Sequence, residues 1–519
     1  MNKSLLERLL DYYHIDYSEY LKLTAPTSLE TFAIGHQFDD IDKAVKLVKD
    51  VIAAHGKIVV YGDYDADGVM GTSILVKMFE YLDMVVDYYI PNRYLDGYGL
   101  TVEHAQEYIN AKYDLVITVD NGITAFEPIE LLHINGVKVL ILDHHQNKEM
   151  VPPADAICHP TYSHFGQTAS SGAFTAFMFS ISLLGRVDKY LATLASISLI
   201  SDMMPLLDYN RNLLRSVISG YKHGEFLALD LLGDNEIFNE TLIGMKIAPR
   251  INSIGRLCED TSINEIVKYF ITKDKDFVLN YHEHILQMND ARKQISKIEI
   301  DESQIRESDK AIIIRGDYKE GIIGLIANSL MIKYQIPVVV FASSIDHSLK
   351  GSARAPEGFD IVEAFGELSD ILLTSGGHSM AGGCSIEENK YDEFKTRFID
   401  LASTKPLKKV EHDSIDIGIS ELSLENYELI NSFSPFGESW SAPLFKLKHI
   451  KVSTLTYSRD HKHVITSLGN RQKLIYFNYP QKEFESTAYI DVIGSINKKY
   501  YQGYVYLEFS VKESNPSKN

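Results

Sequence analysis

Residues 57–80 read KIVVYGDYDADGVMGTSILVKMFE. An apolar run, Lys57 to Tyr61, breaks at Gly62 into three aspartates at alternate positions, Asp63, Asp65 and Asp67, and a helical pattern follows from Gly71 to Leu82. Similar apolar runs recur at Val85–Ile90, Leu115–Val119 (LVITV) and Val137–Leu142 (VKVLIL), with helical patterns between them. Short continuous apolar strands alternating with helices predict an α/β fold with a parallel sheet covered on both faces. In such sheets the chemistry lies at the carboxyl ends of the strands. The polar motifs stand there: Asp63 to Asp67 after the first run, Val119-Asp120-Asn121-Gly122 after the third, and Asp143-His144-His145 after the fourth.

Three carboxylates at this spacing suggest a calcium loop first, since D-x-D-x-D-G opens an EF-hand. That loop needs a glutamate six residues after its glycine, and position 74 is Ile74. A helix-capping turn accounts for one aspartate and leaves two unexplained. Crowded carboxylates raise one another's pKa unless cations neutralise them, so a metal site is the more economical reading. The sheet edge gathers five carboxylates and two imidazoles, and Asp202 adds an acid after the apolar run SISLIS. Mixed carboxylate and imidazole donors suit Mn²⁺ or Mg²⁺; the scattered Cys158, Cys258 and Cys384 form no thiolate zinc knuckle. Several bridging carboxylates predict two ions, the arrangement used for in-line attack on phosphate esters.

With 519 residues, 45% of them hydrophobic, the chain is too long for one core and too apolar for general disorder. The pattern predicts a helical segment over 1–45, the parallel-sheet domain over 46–210 and a helical region over 211–302. A second α/β domain follows over 303–405, with glycine-rich loops from Ser375 to Gly383. Val278, Tyr281, Ile285, Met288, Ile295 and Ile298 share one face of a long connecting helix. Short alternating strands over 406–519 predict an all-β module, a small barrel. Phe165 to Gly185 carries no charge over 21 residues, but its serines, threonines and glycines favour a buried helix over a membrane span. Without a signal-peptide pattern and with so few cysteines, the expected location is the cytoplasm.

The net charge of −20 opposes non-specific binding to a polyanion, yet it is unevenly spread. Trp440 to Asn519 carries a net of +6, leaving −26 on the rest. Its cations interleave with aromatics, among them Tyr457, Arg459, Lys462, Arg471, Lys473, Tyr476, Phe477, Lys498, Lys499, Tyr500, Tyr501 and Tyr504. Such a surface suits single strands, whose bases stack and whose phosphates pair. An ordinary β-domain with core aromatics and a solvated face fits the composition equally.

Together, Asp-Tyr-Asp-Ala-Asp-Gly (63–68), Val-Asp-Asn-Gly (119–122), Asp-His-His (143–145) and Ser201-Asp202 resemble the motif set of the DHH phosphoesterase superfamily. Within it they are similar to the RecJ family of single-stranded-DNA exonucleases, over about Phe32 to Gly383 and more weakly beyond. The resemblance implies a DHH domain, a helical linker, a DHH-associated domain and a C-terminal OB-like barrel. It implies 5′→3′ removal of mononucleotides from single-stranded DNA with two Mn²⁺ or Mg²⁺ ions, in DNA repair and recombination. Asp65, Asp67, Asp120, His144 and Asp202 match metal ligands. Asp63 and His145 lie in or beside that shell, and His145 could stabilise developing charge or protonate the leaving oxygen. Arg93, in Pro91-Asn92-Arg93, matches a residue facing the 5′-terminal phosphate. The segment Ala248 to Arg256 matches another phosphate contact, through Arg250 or Arg256, and the family pattern leaves both open. Ser352, Arg354 and His378 match the DHH-associated domain.

One departure stands out. The family's Phe-Gly-x-Gly-Asn-Pro segment is replaced by Ser434-Pro435-Phe436-Gly437-Glu438-Ser439-Trp440, which leaves the docking of the last module open. The implied partner is single-stranded DNA, acted on by a monomer away from membranes, with a single-strand-binding protein or helicase as further candidates. Two other readings compete: a phosphodiesterase of short oligoribonucleotides or cyclic dinucleotides, and a silent nucleic-acid-binding scaffold.

Overall fold

β-Branched runs bury readily as parallel strands, as three of them do here, joined by a partly exposed strand and a fifth short one. In the computed structural model β1 (Ile58–Tyr61), β2 (Asp87–Tyr89), β3 (Leu115–Val119), β4 (Lys138–Leu142) and β5 (Ala156–Cys158) form one sheet, in the order β2-β1-β3-β4-β5. All pairings are parallel. The structure describes every residue except 1–2, 34–37, 98, 147–149, 163–168, 259–260, 296–309, 344–347, 406–411, 470, 482–483, 485, 502 and 518–519. The chain divides into two compact units: Phe32–Asp202 with Gly220–Val410, and Met1–Thr31 with Met203–Ser219 and Glu411–Asn519.

In the larger unit the strand order reverses between β1 and β3, and the crevice at such a switch point is where an open α/β sheet binds its ligand. The helix after β1 starts earlier than its apolar pattern, at Ala66, because the Asp65 carboxylate caps it by accepting from the N–H groups of Asp67 and Gly68. β5 follows two prolines and spans three residues, too few for an apolar period to show. The charge-free stretch becomes the helix Gly172–Leu184, buried almost all round. At 13 residues, or roughly 20 Å, it is shorter than a hydrocarbon core. Among the described residues no helix is long and apolar enough to cross a membrane.

The connecting helix runs Lys275–Ile295; Ile298 lies outside the described residues. Beyond it, β6 (Ile312–Gly316), β7 (Val338–Ser343), β8 (Ser348–Arg354), β9 (Thr374–His378) and β10 (Ala381–Glu387) form a second sheet, ordered β6-β7-β8-β10-β9. Only β6 and β7 pair in parallel. The glycine cluster read as loops is instead the antiparallel hairpin β9–β10. Backbone pairing holds these strands, so their glycines need no packed side chains to remain extended.

In the smaller unit, β11 (Ile415–Asp416), β12 (Phe445–Lys451), β13 (His463–Gly469), β14 (Gln472–Phe477), β15 (Tyr489–Tyr501) and β16 (Tyr504–Pro516) form a sheet ordered β11-β12-β15-β16-β14-β13. Leu5 and Leu9 from the first helix belong to its core. Phe477, Tyr500 and Tyr504 are exposed, and Arg471 and Lys473 lie over the rings of Tyr504 and Tyr506 at 4.9 and 4.7 Å. Some of the interleaved cations and aromatics thus lie exposed and paired, whereas Tyr457 and Tyr476 pack against the core.

The divergent 434–440 segment is firmly held within this unit. Buried Arg211 donates to the carbonyls of Phe433, Ser434 and Pro435 at 2.7, 3.1 and 2.9 Å, and its guanidinium lies 4.9 Å from the Trp440 ring. Tyr13 stacks on Trp440 at 4.5 Å. Arg211→Ala orphans those carbonyls and is expected to destabilise this unit by about 3 kcal/mol. As the single tryptophan, Trp440 reports the loss directly: its fluorescence should change at a lower urea concentration. An unchanged midpoint would refute the anchoring role.

Candidate metal centre and anion site

Each strand end delivers its acid by a local device. Asp63 follows β1 and is buried, and its Oδ1 has no hydrogen-bond partner. Asp67, in the first turn of the Ala66–Glu80 helix, accepts from the N–H groups of Gly172 and Ala173, both at 2.7 Å. The amino end of a second buried helix thereby aims its dipole at this carboxylate. Asp120 leaves β3 with φ of 61°. Asn121 ties the strand ends together, donating to the carbonyls of Gly62 and Val119 at 3.0 and 2.9 Å. A Cβ at Gly172 would stand 2.6 Å from that of Asp120, so only glycine lets the helix approach so closely.

The side chains converge. His144 Nε2 lies 3.1 Å from Asp120 Oδ1 and 3.5 Å from both Asp67 Oδ2 and Asp202 Oδ2. Asp120–His144–His145, Asp67–His144–Asp202 and Asp63–Asp65–Asp120 each bring three donor atoms within 4.8 Å of one another. Seven of the eight acids and imidazoles read from the sequence therefore fall within these overlapping groups, and Asp143 is the exception. Their protonation shows what kind of group these residues suit. Burial, then the Asp65 charge, push Asp63 well above the usual carboxylate range and Asp67 up to about 7. Burial, then Asp67 and its acidic neighbours, push Asp120 well above that range and Asp202 up to about 8. Burial lowers His144 to about 3, so its imidazole is neutral with a lone pair to offer. An orphaned buried oxygen, mutually repelling carboxylates and a neutral imidazole fit hard divalent cations such as Mn²⁺ or Mg²⁺.

Asp143, which the sequence shows only as one more strand-end acid, orients both histidines. Its Oδ1 accepts from the N–H groups of His144 and His145 at 2.7 and 3.1 Å and from His145 Nδ1 at 2.9 Å; Oδ2 accepts from Ile123 N–H at 2.9 Å. Despite burial, the His145 hydrogen bond and charge hold Asp143 below the usual range. In return, against the cost of burial, the Asp143 hydrogen bond and charge raise His145 to about 9. His145 is thus protonated at neutral pH, whereas its neighbour His144 is not. The signal was the aspartate of Asp143-His144-His145 itself, read as one more acid.

The predicted basic residues separate into two sets. Arg250 forms a two-pronged ion pair with Asp234, at 2.8 and 3.0 Å, and also donates to the Leu232 carbonyl at 2.6 Å. Its charge is spent there. Among the described residues Arg256 meets no carboxylate; it donates to the Gly321 carbonyl at 3.1 Å, and burial followed by the nearby Arg93 charge lowers it to about 10. Arg93 lies over the Tyr64 ring at 4.3 Å, with its Nε buried and unpartnered. Arg354 donates to Ser352 Oγ at 3.2 Å, and its charge, like that of Arg292 on the connecting helix, also lowers Arg256. No motif pointed to Arg292; only its Asn289 partner, three residues earlier at 3.0 Å, marked it. Like charges gathered in a partly buried place suit an anion. His378 is exposed on β9 and has no side-chain hydrogen bond or ion pair among the described residues.

Three family models match the chain: the DHH family, N-terminal domain, over residues 57–199, the DHHA1 domain over 308–404 and the RecJ OB domain over 415–513. The single-stranded-DNA-specific exonuclease RecJ of Bacillus subtilis is 30% identical over 454 residues, a match covering 83% of this chain and 57% of that protein. The chain thus spans little more than half of that relative's length. The Haemophilus influenzae protein of the same name is 29% identical, with 86% of this chain and 83% of that protein covered. Among solved structures, RecJ in complex with Mn²⁺ from Thermus thermophilus has the same fold, with a TM-score of 0.82 at 23% identity, covering 99% of this chain and 78% of that one.

Proposed function

We propose that the chain, whose successive segments match the DHH, DHHA1 and RecJ OB family models, is a RecJ-type, metal-dependent, single-stranded-DNA-specific 5′→3′ exonuclease releasing 5′-mononucleotides. The observation that carries the reading is one crevice edge with acids and imidazoles from three strand ends, in the same unit as Arg93, Arg256 and Arg354, which make no close ion pair with a carboxylate among the described residues. We assign two divalent ions to Asp63, Asp65, Asp67, Asp120, His144 and Asp202. When bound, such ions polarise the phosphoryl oxygen and supply a nucleophilic water at neutral pH. The chain's own part is to hold and to donate. Arg93, Arg256, Arg354 and Ser352 grip the 5′-terminal phosphate and set the scissile bond one nucleotide away; Arg250, committed to Asp234, has no part in this. The phosphorus–O3′ bond breaks as a water oxygen joins phosphorus, and His145, kept cationic by Asp143, gives its proton to the departing 3′-oxygen. The exposed aromatics and cations of the C-terminal sheet supply strand affinity.

Work in DNA repair and recombination, in the cytoplasm and as a monomer, fits this reading, with strands delivered by a helicase or a single-strand-binding protein. Incubation with 5′-labelled and 3′-labelled single strands plus Mn²⁺ tests it. Early release of labelled mononucleotide from the 5′ end alone is expected. Cleavage restricted to dinucleotides points to a small-substrate phosphodiesterase, and binding without cleavage to a scaffold; either overturns the proposal.

A further inference from the structure

The arginine group is assembled from two lobes of the larger unit, and a short chain of contacts sets its spacing. The Tyr94 hydroxyl donates to the Arg256 carbonyl at 2.5 Å. Arg256 in turn donates to the Gly321 carbonyl at 3.1 Å, in the first turn of the helix Glu320–Tyr334. A Cβ at Gly321 would lie 2.5 Å from the Arg256 carbonyl oxygen and 2.7 Å from the Tyr94 hydroxyl. The helix of the second lobe therefore closes directly onto this hydrogen bond. Gly324, one turn later on the same face, would place a Cβ 3.0 Å from Arg354 Nη2 and 3.1 Å from Ser352 Oγ.

The loop that bears Tyr94 and Arg93 is itself pinned. Asn92 Nδ2 donates to the Cys258 carbonyl at 3.1 Å and Asn92 Oδ1 accepts from Tyr94 N–H at 2.8 Å. Asp96 accepts from Asn92 N–H at 2.7 Å and from the Tyr89 hydroxyl at 2.8 Å. Arg93 and Arg256 are thus fixed to each other through Tyr94, and both to Arg354 through the glycine face of one helix.

We infer that Tyr94 and Gly321 form an inter-lobe latch that positions Arg93, Arg256 and Arg354 as a single acceptor for a strand's terminal phosphate. The inference rests on the exonuclease reading above. Tyr94 is a positioning residue, acting through Arg256, and the latch predicts that end recognition depends on a hydroxyl that touches no substrate. Removing it loosens the spacing of the arginines, so the loss should appear in binding of the phosphorylated end more than in turnover.

The test compares wild type, Tyr94→Phe and Gly321→Ala in the full chain, on matched strands ending in a 5′ phosphate or a 5′ hydroxyl. KM and kcat are separated with Mn²⁺, and equilibrium binding of both strands is measured in EDTA. For Tyr94→Phe, KM for the phosphorylated strand should rise about tenfold with kcat little changed, and the preference for it should fall at least fivefold, in kcat/KM and in binding. Gly321→Ala should shift both in the same direction by wedging the lobes, which keeps the test decisive if one variant folds poorly. General destabilisation would weaken both strands alike. Variants that retain the wild-type preference, or a wild type indifferent to the 5′ phosphate, overturn the latch and leave the exonuclease standing; a wild type that releases no 5′ mononucleotide from either strand overturns both.

Discussion

Asp120→Asn is expected to lower Mn²⁺-dependent strand degradation at least a thousandfold, about 4 kcal/mol of transition-state stabilisation. Asp120 belongs to two of the three donor groups and stands 3.1 Å from His144 Nε2. It is buried, so no water replaces its charge. Asparagine keeps the shape that Gly172 packs against and removes only the charge, which separates a ligand role from a structural one. Asp202 sits at the rim with its side chain 33% exposed, and Asp202→Asn should cost less, about a hundredfold, because water can take its place. Initial rates across a Mn²⁺ titration, together with calorimetric ion stoichiometry, check both. An Asp120→Asn protein with near wild-type turnover and two bound ions would remove the site from the chemistry.

Stripping divalent ions is expected to make stability fall as pH rises from 6.5 to 8, by about 3 kcal/mol, and Mn²⁺ to suppress that fall. Asp67 and Asp202 bind protons more tightly folded, at about 7 and 8, than their ordinary 3.8. The folded chain then holds protons that the unfolded chain has released, and stability declines until pH passes those values. His145, raised from 6.5 to about 9, acts in the same sense: its contribution is complete below 6.5 and is lost towards 9. His144, lowered to about 3, opposes the carboxylates only below 6.5, where stability gains as pH rises. Between 6.5 and 8 all the shifts agree in sign. Cations neutralise the carboxylates at every pH in this window and remove the slope. Urea unfolding at both pH values, in EDTA and in Mn²⁺, measures it. An EDTA-treated protein as stable at pH 8 as at 6.5 would contradict the crowded-carboxylate account.

The parallel sheet and the acid set were legible in the linear chain because both are written locally. An apolar run that ends in Asp63, in Asp120 or in Asp143-His144-His145 states that a buried strand stops and that its end carries a candidate ligand, and strand ends in such sheets lie along one edge. β5 and the hairpin β9–β10 were not legible: three residues are too few to show a period, and glycine-rich strands have no side-chain pattern.

Only the tertiary structure distinguishes the surroundings of Arg250 from those of Arg256. They lie six positions apart on one helix with the same side chain, and what separates them is Asp234 beside one and Gly321 beside the other. It alone made His144 neutral and His145 cationic, since adjacent identical residues differ only in which buried groups face them. Charge state and availability depend on burial and partners brought from distant stretches of chain, whereas strand, helix and ligand type depend on residues a few places apart.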